Sequence, residues 1–494
     1  MKDSEILHAL EHIDADLIEK AATPQKKKHP RLNWVNAVAA LLVLAIGLSL
    51  FAPELGPSPG LPTDPTQPPT DPIIRPIGQL CNLLSEPVYP EMAAYPNYDD
   101  YPDWQDYEAA YNAWRDSQSR QYDQPEGYAN SLREFFHTSI RQFLQEEGNA
   151  TYSPVNTYLA LAMLAETASG NSRQQILDLL AVSSVERLRT RVDLLWNAHY
   201  CADGQTSLLL ANSLWLDDAY SFKEATAELL ADRYYASSFS GDLGTVKMNE
   251  QLQYWLNENT GGLLKEQAGN VQLEPDAVFA LASTVSFTAS WKEKFNESNT
   301  YEALFHSPKG DVQVPFMHKT LQTHTYFWGE NFSAVSLSLT GNNRMWLILP
   351  DEGHTVSEIL ESKEYLQMTL SPSAWQNRKN INIRLSLPKF DVSDQKDLCD
   401  GIKAIGVTDI FDYSISDFTS LTDTPELFVS KIDHAVRVAI DEKGCVGAAY
   451  TVIMTEPGTA PTDQKIDFTL DRPFLFIVSS QDDLPLFAGI VNDP

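Results

Sequence analysis

The groups best suited to chemistry in this chain are hydroxyls, imidazoles and thiols, and their spacing favours no common catalytic design. A Gly-x-Ser-x-Gly match occurs at Gly56, Pro57, Ser58, Pro59 and Gly60. A hydrolase needs a strand before that serine and a helix after it, so that the turn lifts the hydroxyl clear. Two prolines supply neither, and the match reads as coincidence. With 10 histidines and many Ser and Asp, some Ser/His/Asp combination is inevitable, so composition is no evidence of a triad. His434 is the one histidine inside an apolar, strand-like run (residues 427–440), and reads as a hydrogen-bonded core histidine. Asp351-Glu352 and Asp482-Asp483 read as solvated turns. Cys81, Cys201, Cys399 and Cys445 lie far apart, without a CxxC pair or zinc spacing. Cys399, beside Leu398 and Ile402, reads as a buried free thiol. HExxH, EF-hand, Walker A and Rossmann glycine patterns are all missing from the sequence. These residues recommend no enzyme, no metal and no cofactor.

A different property marks residues 440–473, IDEKGCVGAAYTVIMTEPGTAPTDQKIDFTLDRP. Alternate side chains of a strand face one way, so Cys445, Gly447, Ala449 and Thr451 would share a face of small residues. Such a segment suits a crowded sheet interior, yet its tip, rich in Pro, Gly and Thr, suits an exposed loop. It is either an ordinary hairpin with a long tip or a segment that can occupy both states.

The elements around it follow from pattern and charge. A net charge of −31 argues against nucleic acid, which needs clustered Lys and Arg, and against an anionic membrane surface as the main domain's partner. Residues 1–33 end in Lys26, Lys27, Lys28 and Arg31; residues 34–52, WVNAVAALLVLAIGLSLFA, are long enough to span a bilayer as a helix. The basic residues before that span place the N-terminus in the cytoplasm and the remainder outside, a single-pass layout suggesting a bacterial surface protein. A cleaved signal peptide is the rival reading, disfavoured by its long charged start. Nine prolines between residues 53 and 76 let that stretch reach about 70 Å as polyproline II, within a stalk over 53–80. An extension, 81–130, is acidic and dense in Tyr and Trp, expected to pack on the domain that follows. From 131 to 494 the chain reads as globular. Helical spacing marks Leu132, Phe135, Phe136, Ile140 and Phe143, then a buried helix after Ser153-Pro154. Further helices are expected at 172–180, 184–198, 247–259 and 394–405, and strands at 207–216, 277–287, 334–339, 345–349, 381–387, 427–440 and 474–479. With no βαβ alternation, the class is α+β on large, mainly antiparallel sheets.

Seven stretches, in order, resemble signatures of the serpins, the serine protease inhibitors. They are NATYSPVNTYLALAMLAETASG (149–170), WLNENTGGLL (255–264), FALASTVSFTASWKEKF (279–295), LSLPKFDV (385–392), GVTDIFD with SDFTSLTD (406–423), FVSKIDHAVRVAIDEKG (428–444) and DRPFLFIVSSQDDLPLFAGIVNDP (471–494). The resemblance implies three β-sheets, eight or nine helices and an exposed reactive loop that serves as protease bait. In inhibitory members the protease forms an acyl-enzyme with the loop, and the cut loop then inserts into the central sheet. It further implies a loop hinge at Glu442, Gly444, Cys445, Gly447, Ala449 and Thr451, and a scissile position at Gly458, with Thr459 or Ala460 as alternatives. Small residues there suit an extracellular elastase-like or subtilisin-like serine protease. No Arg or Lys lies between Gly444 and Gln464, which disfavours a trypsin-like one. Ser153, Asn156, Ser283 and His434 fall at the point where the sheet opens, with the usual serine and asparagine exchanged between Asn156 and Ser283. The protein is expected to act as a monomer without a cofactor. The alternative is a non-inhibitory binding or chaperone-like module whose loop is only a substrate.

Overall fold

The computed structural model describes residues 81–125, 127–144, 148–274, 276–445 and 464–494. The N-terminal segment 1–33, the span 34–52, the stalk 53–80 and the loop positions Gly447, Ala449, Thr451, Gly458, Thr459 and Ala460 lie outside them. Among the described residues no helix is long and apolar enough to cross a membrane.

Among the described residues seventeen strands carry the fold. In chain order they are β1 (Asn82–Ser85), β2 (Ala150–Tyr152), β3 (Cys201–Ala202), β4 (Thr206–Asp217), β5 (Ala236–Gly241), β6 (Phe279–Ser290), β7 (Thr300–Ser307), β8 (Gly310–Trp328) and β9 (Phe332–Ser338). The rest are β10 (Arg344–Pro350), β11 (Arg378–Pro388), β12 (Phe390–Asp397), β13 (Asp433–Ile440), β14 (Gly444–Cys445), β15 (Lys465–Thr469), β16 (Phe474–Ser479) and β17 (Pro485–Val491). They form two sheets. One has eight strands in the order β1-β5-β4-β6-β14-β13-β12, with β3 on β4; the other has nine, β15-β11-β8-β9-β10-β16-β17-β2, with β7 on β8. All neighbours are antiparallel except β4–β5 and β11–β15. The resemblance implied three sheets, and the structure corrects this to two. The reason is β8, whose 19 residues serve two ladders. Its first half pairs with β7 and its last residues with β9, while β11 runs along most of it. Thr323, at φ 48°, bends β8 where the β11 register slips.

Twelve α-helices lie among the described residues, more than the eight or nine implied, because several are single short turns. Those that matter for the site are α1 (Trp104–Ser117), α2 (Pro154–Thr167) and α3 (Val246–Asn259). Ser153 caps α2 by accepting the Asn156 N–H, and Pro154 takes the first turn, where its missing N–H costs nothing. Thirteen of the 14 residues of α2 are buried, so it runs through the core behind the eight-stranded sheet. On that sheet's other face, Leu252 and Trp255 of α3 cover Trp215 and Phe239. Each such buried side chain contributes about 1.5–3 kcal/mol.

The acidic extension joins the first sheet. β1 adds an antiparallel edge strand to β5. Tyr89 then stacks on Tyr200 and Tyr235, at 5.6 and 5.8 Å between ring centroids. Asp203 accepts from the Tyr95 N–H through its carbonyl (2.7 Å) and from Trp114 Nε1 through its carboxylate (3.1 Å).

Candidate functional site

The site is the seam of the eight-stranded sheet where β14 separates β6 from β13. β13 ends at Ile440, and the chain reverses through a corner built on Asp441. Its Oδ1 accepts the N–H groups of Lys443 (2.8 Å) and Gly444 (3.1 Å), a side-chain turn that needs Asp or Asn. The geometry of the corner is fixed from β6 and its continuation. Trp291 donates its backbone N–H to the Lys443 carbonyl (2.9 Å) and its ring N–H to the Asp441 carbonyl (2.8 Å), while Phe295 N–H reaches the Glu442 carbonyl (3.0 Å). The Glu442 carboxylate meets Lys389 Nζ at 2.9 Å. Burial pulls that carboxyl upward, but the Lys389 ammonium and hydrogen bonds outweigh it and hold it below its ordinary value.

From the corner the chain enters the sheet at Gly444 and Cys445. Gly444 pairs with Ser290, and Cys445 with Ala289 on one side and Ile440 on the other. A Cβ on Gly444 would stand 2.3 Å from the Ala289 carbonyl oxygen, so only glycine fits this approach. The Cys445 thiol is buried, and that burial pushes it up to about 12, which makes it inert rather than nucleophilic. Below Cys445, β6 and β13 form no ladder with each other among the described residues. A cleft follows, lined by Val285, Ser286 and Phe287 of β6 and Val436, Arg437 and Val438 of β13, with Cys445 at its head. Leu263 and Leu264 also line it, after a turn in which Gly261 and Gly262 take left-handed φ of 60° and 78°. Arg437 ties that covering turn down. It donates to the Leu263 carbonyl (3.2 Å) and clasps Asp391 with two nitrogens (2.8 and 2.6 Å).

Further down β13 lies His434, fully enclosed. Its Nε2 accepts the Ser153 N–H at 3.1 Å, so that nitrogen carries no proton. Burial, assisted by the nearby Lys396 ammonium, pushes the imidazole down to about 3. Tyr152 packs on its ring at 5.2 Å, Thr151 Oγ1 donates to the Val436 carbonyl (3.2 Å), and Ser153 Oγ donates to the Leu486 carbonyl (2.8 Å). β2 and the start of α2 thus clamp β13 to the second sheet. Of the four residues expected to form a network here, the structure joins Ser153 and His434. Asn156 Oδ1 and Ser283 Oγ are buried without a hydrogen-bond partner, so neither bonds His434. Ser283 instead stands opposite Asn212 of β4. Of the six hinge residues, Glu442, Gly444 and Cys445 are found at the corner.

Sequence reasoning did not assign Trp291, Phe295, Lys389 or Arg437 a role. The signal was available in part, since Trp291 and Phe295 frame the WKEKF segment and Lys389 sits within LSLPKFDV. Among the described residues no cluster of His, Cys, Asp and Glu could hold a metal ion.

Comparison with known proteins converges on one family. The family model described as serpin (serine protease inhibitor) matches residues 130–494. Serpin-ZX of Arabidopsis thaliana is 28% identical over 372 residues, 71% of this chain and 93% of that protein. Alpha-1-antiproteinase 2 of Equus caballus is 28% identical over 371 residues, 73% of this chain and 85% of its own length. Among solved structures, the native state of the thermophilic serpin tengpin matches with a TM-score of 0.66 at 24% identity, covering 75% of this chain and 95% of its own. Arabidopsis AtSerpin1 in its native stressed conformation gives 0.63 at 26%, covering 74% and 98%.

Proposed function

The chain belongs to the serpin family, and from that premise we propose that it inhibits an extracellular serine protease as a suicide substrate. The protease's serine Oγ attacks a loop carbonyl at Gly458, Thr459 or Ala460. An ester to the inhibitor forms, the peptide bond breaks, and the new amine leaves with the C-terminal piece. The freed loop then continues β14 downward between β6 and β13. That strand carries the protease away before the ester is hydrolysed. One observation supports this most strongly: β14 already stands between two strands that, among the described residues, form no ladder with each other. The chain supplies bait and spring, and the nucleophile belongs to the protease. The small residues at 458–460 favour an elastase-like or subtilisin-like target. Residues 34–52 anchor the domain to the cell membrane in this reading, with residues 53–80 as stalk and the inhibitor domain outside.

Incubating the full chain with elastase-like and subtilisin-like proteases tests the proposal. The expected result is an SDS-resistant band of inhibitor plus protease, with a new C-terminus at 458–460 by mass spectrometry. Cleavage without the band would mean a substrate-only loop, and a cut only after Lys465 would refute the scissile assignment.

A further inference from the structure

Where the chain re-enters the nine-stranded sheet after the loop, its charge balance reverses. Acidic residues outnumber basic ones by 67 to 36 over the whole sequence. Strands β11 and β15 depart from this, with Arg378, Lys379, Arg384 and Lys465 against the single acid Asp467. Arg384 clasps Asp467 with two nitrogens, so that pair is closed. The other three are exposed, and none has a carboxylate partner among the described residues. Two of them are held in place. Arg378 Nη1 donates to the Pro372 carbonyl at 3.0 Å, and Lys379 Nζ lies over the rings of Tyr326 and Trp328, 5.8 and 5.9 Å from their centroids. Such contacts hold a cation without neutralising it.

Its place in the fold gives this patch a partner. β15 is the edge strand of the nine-stranded sheet and begins at Lys465, opposite Asn382 of β11. Gln464 is tied in as well, its carbonyl accepting the Asn382 N–H at 3.0 Å. Arg378 and Lys379 precede Asn382 on β11 by about 13 and 10 Å of strand. The positions assigned to cleavage, 458–460, lie four to six residues before Gln464. Even fully extended, those residues span at most about 14 to 22 Å. A protease domain of about 220 residues has a radius of gyration of about 17 Å. A protease seated on the loop is thus wider than its distance from Gln464, so its rim faces Lys465 and the start of β11. The side that faces them is the one holding the residues after the cut. A chain this acidic repels an acidic protease at long range, and a local basic patch is what can draw one in. We propose that Arg378, Lys379 and Lys465 receive an acidic rim of the target protease, beside the part of its cleft that binds the residues after the cut. This rests on the reading of residues 458–460 as bait, and adds selection by surface charge to selection by pocket size. Rim charges of this kind act on the rate of encounter more than on the lifetime of the complex.

Arg378→Glu combined with Lys379→Glu, in the full chain solubilised in detergent, tests this. Lys465 is kept, because it follows the cut within the substrate stretch. Mass spectrometry follows the rate of cutting at 458–460 by a subtilisin-like protease of acidic surface and an elastase-like protease of basic surface. At about 0.02 M salt, where charges are felt over about 20 Å, the double change should slow the acidic protease about tenfold and speed the basic one. At about 0.5 M salt, with a reach of about 4 Å, both rates should match those of the unaltered chain. Thermal unfolding should be nearly unchanged, since both side chains are exposed. Rates that ignore the charge reversal, or that fall for both proteases at both salts, would overturn the proposal. The rate counts every cut, whether the protease is then trapped or released, so a loop that is only a substrate leaves the test intact. No cut at 458–460 by either protease would refute the bait reading itself, and this proposal with it.

Discussion

In the nine-stranded sheet, β10, β16 and β17 pair residue by residue, and every side chain of β16 and β17 is buried. In the eight-stranded sheet, β6 and β13 share β14 as a neighbour at Gly444 and Cys445, and among the described residues they form no ladder with each other. Within the trio of β10, β16 and β17 the ladders run along the strands. Among the described residues β6 and β13 show no ladder to each other beyond Cys445, so an added strand would find backbone partners there. The two sheets thus differ in how completely neighbouring strands pair among the described residues, and loop insertion as proposed would draw on that difference.

The largest test of that contrast is to let the seam close. A strand of ten or so residues gains ladder bonds worth about 0.5–1.5 kcal/mol each. At about 2–4 °C per kcal/mol for a large domain, cutting the loop at 458–460 should raise Tm by on the order of 20 °C. Calorimetry of cut and uncut protein reads this directly, and an unchanged Tm would remove the spring. Two substitutions then separate the sheets. Phe476→Ala, in the finished sheet, should cost about 3–5 kcal/mol in cut and uncut forms alike. Gly444→Ala, at the seam, should cost about 1–3 kcal/mol and shift protease encounters from trapping towards plain cleavage, because the added methyl meets the Ala289 backbone. Titrating active protease against each variant measures that partition.

What the sequence disclosed follows the same division. Long apolar runs marked α2 and the strands β4, β6, β10 and β16, which are largely buried whatever their partners do. β7 and β8 escaped because His, Lys, Gln and Thr interrupt their alternation. The helix expected at 394–405 is strand β12 to Asp397 before a short helix from Cys399, where Asp397 accepts the Cys399 N–H (2.9 Å). The expected strand 427–440 begins only at Asp433. The corner residues Asp441, Glu442 and Gly444 were legible because turn chemistry is local. The missing β6–β13 ladder was not, since whether two strands pair depends on long-range competition that no single segment records.

A pH experiment probes the seam at its lower end. His434 is held neutral with its pKa near 3 against about 6.5 when unfolded, so the unfolded chain takes up the proton first. The stability it contributes is complete above about 6.5 and is lost as pH falls, by about 2 kcal/mol at pH 5. Protonation would also remove the acceptor for the Ser153 N–H. His434→Gln can offer an amide oxygen to that donor without titrating. Its urea midpoint should fall less between pH 7 and 5 than the native chain's, and parallel slopes would exclude the histidine as the cause. Glu442, held low, loses its contribution in the same direction but equally in both proteins.

The smallest effect is the most diagnostic. Ser283 Oγ and Asn156 Oδ1 are each buried and unpartnered close to the seam, one on β6 and one on α2. A buried polar atom without a partner costs about 1–3 kcal/mol, so Ser283→Ala should be neutral or slightly stabilising rather than damaging. The exchange Asn156→Ser with Ser283→Asn places the longer amide on the strand and the short hydroxyl on the helix. If the unpaired groups are what keeps β6 from β13 at this level, the two changes should couple by about 0.5–1 kcal/mol in a double-mutant cycle. The pair should also slow loop insertion, because a bonded seam opens less readily. Strict additivity of the two single changes would locate the resistance to pairing elsewhere, in the covering turn that Arg437 ties to Leu263.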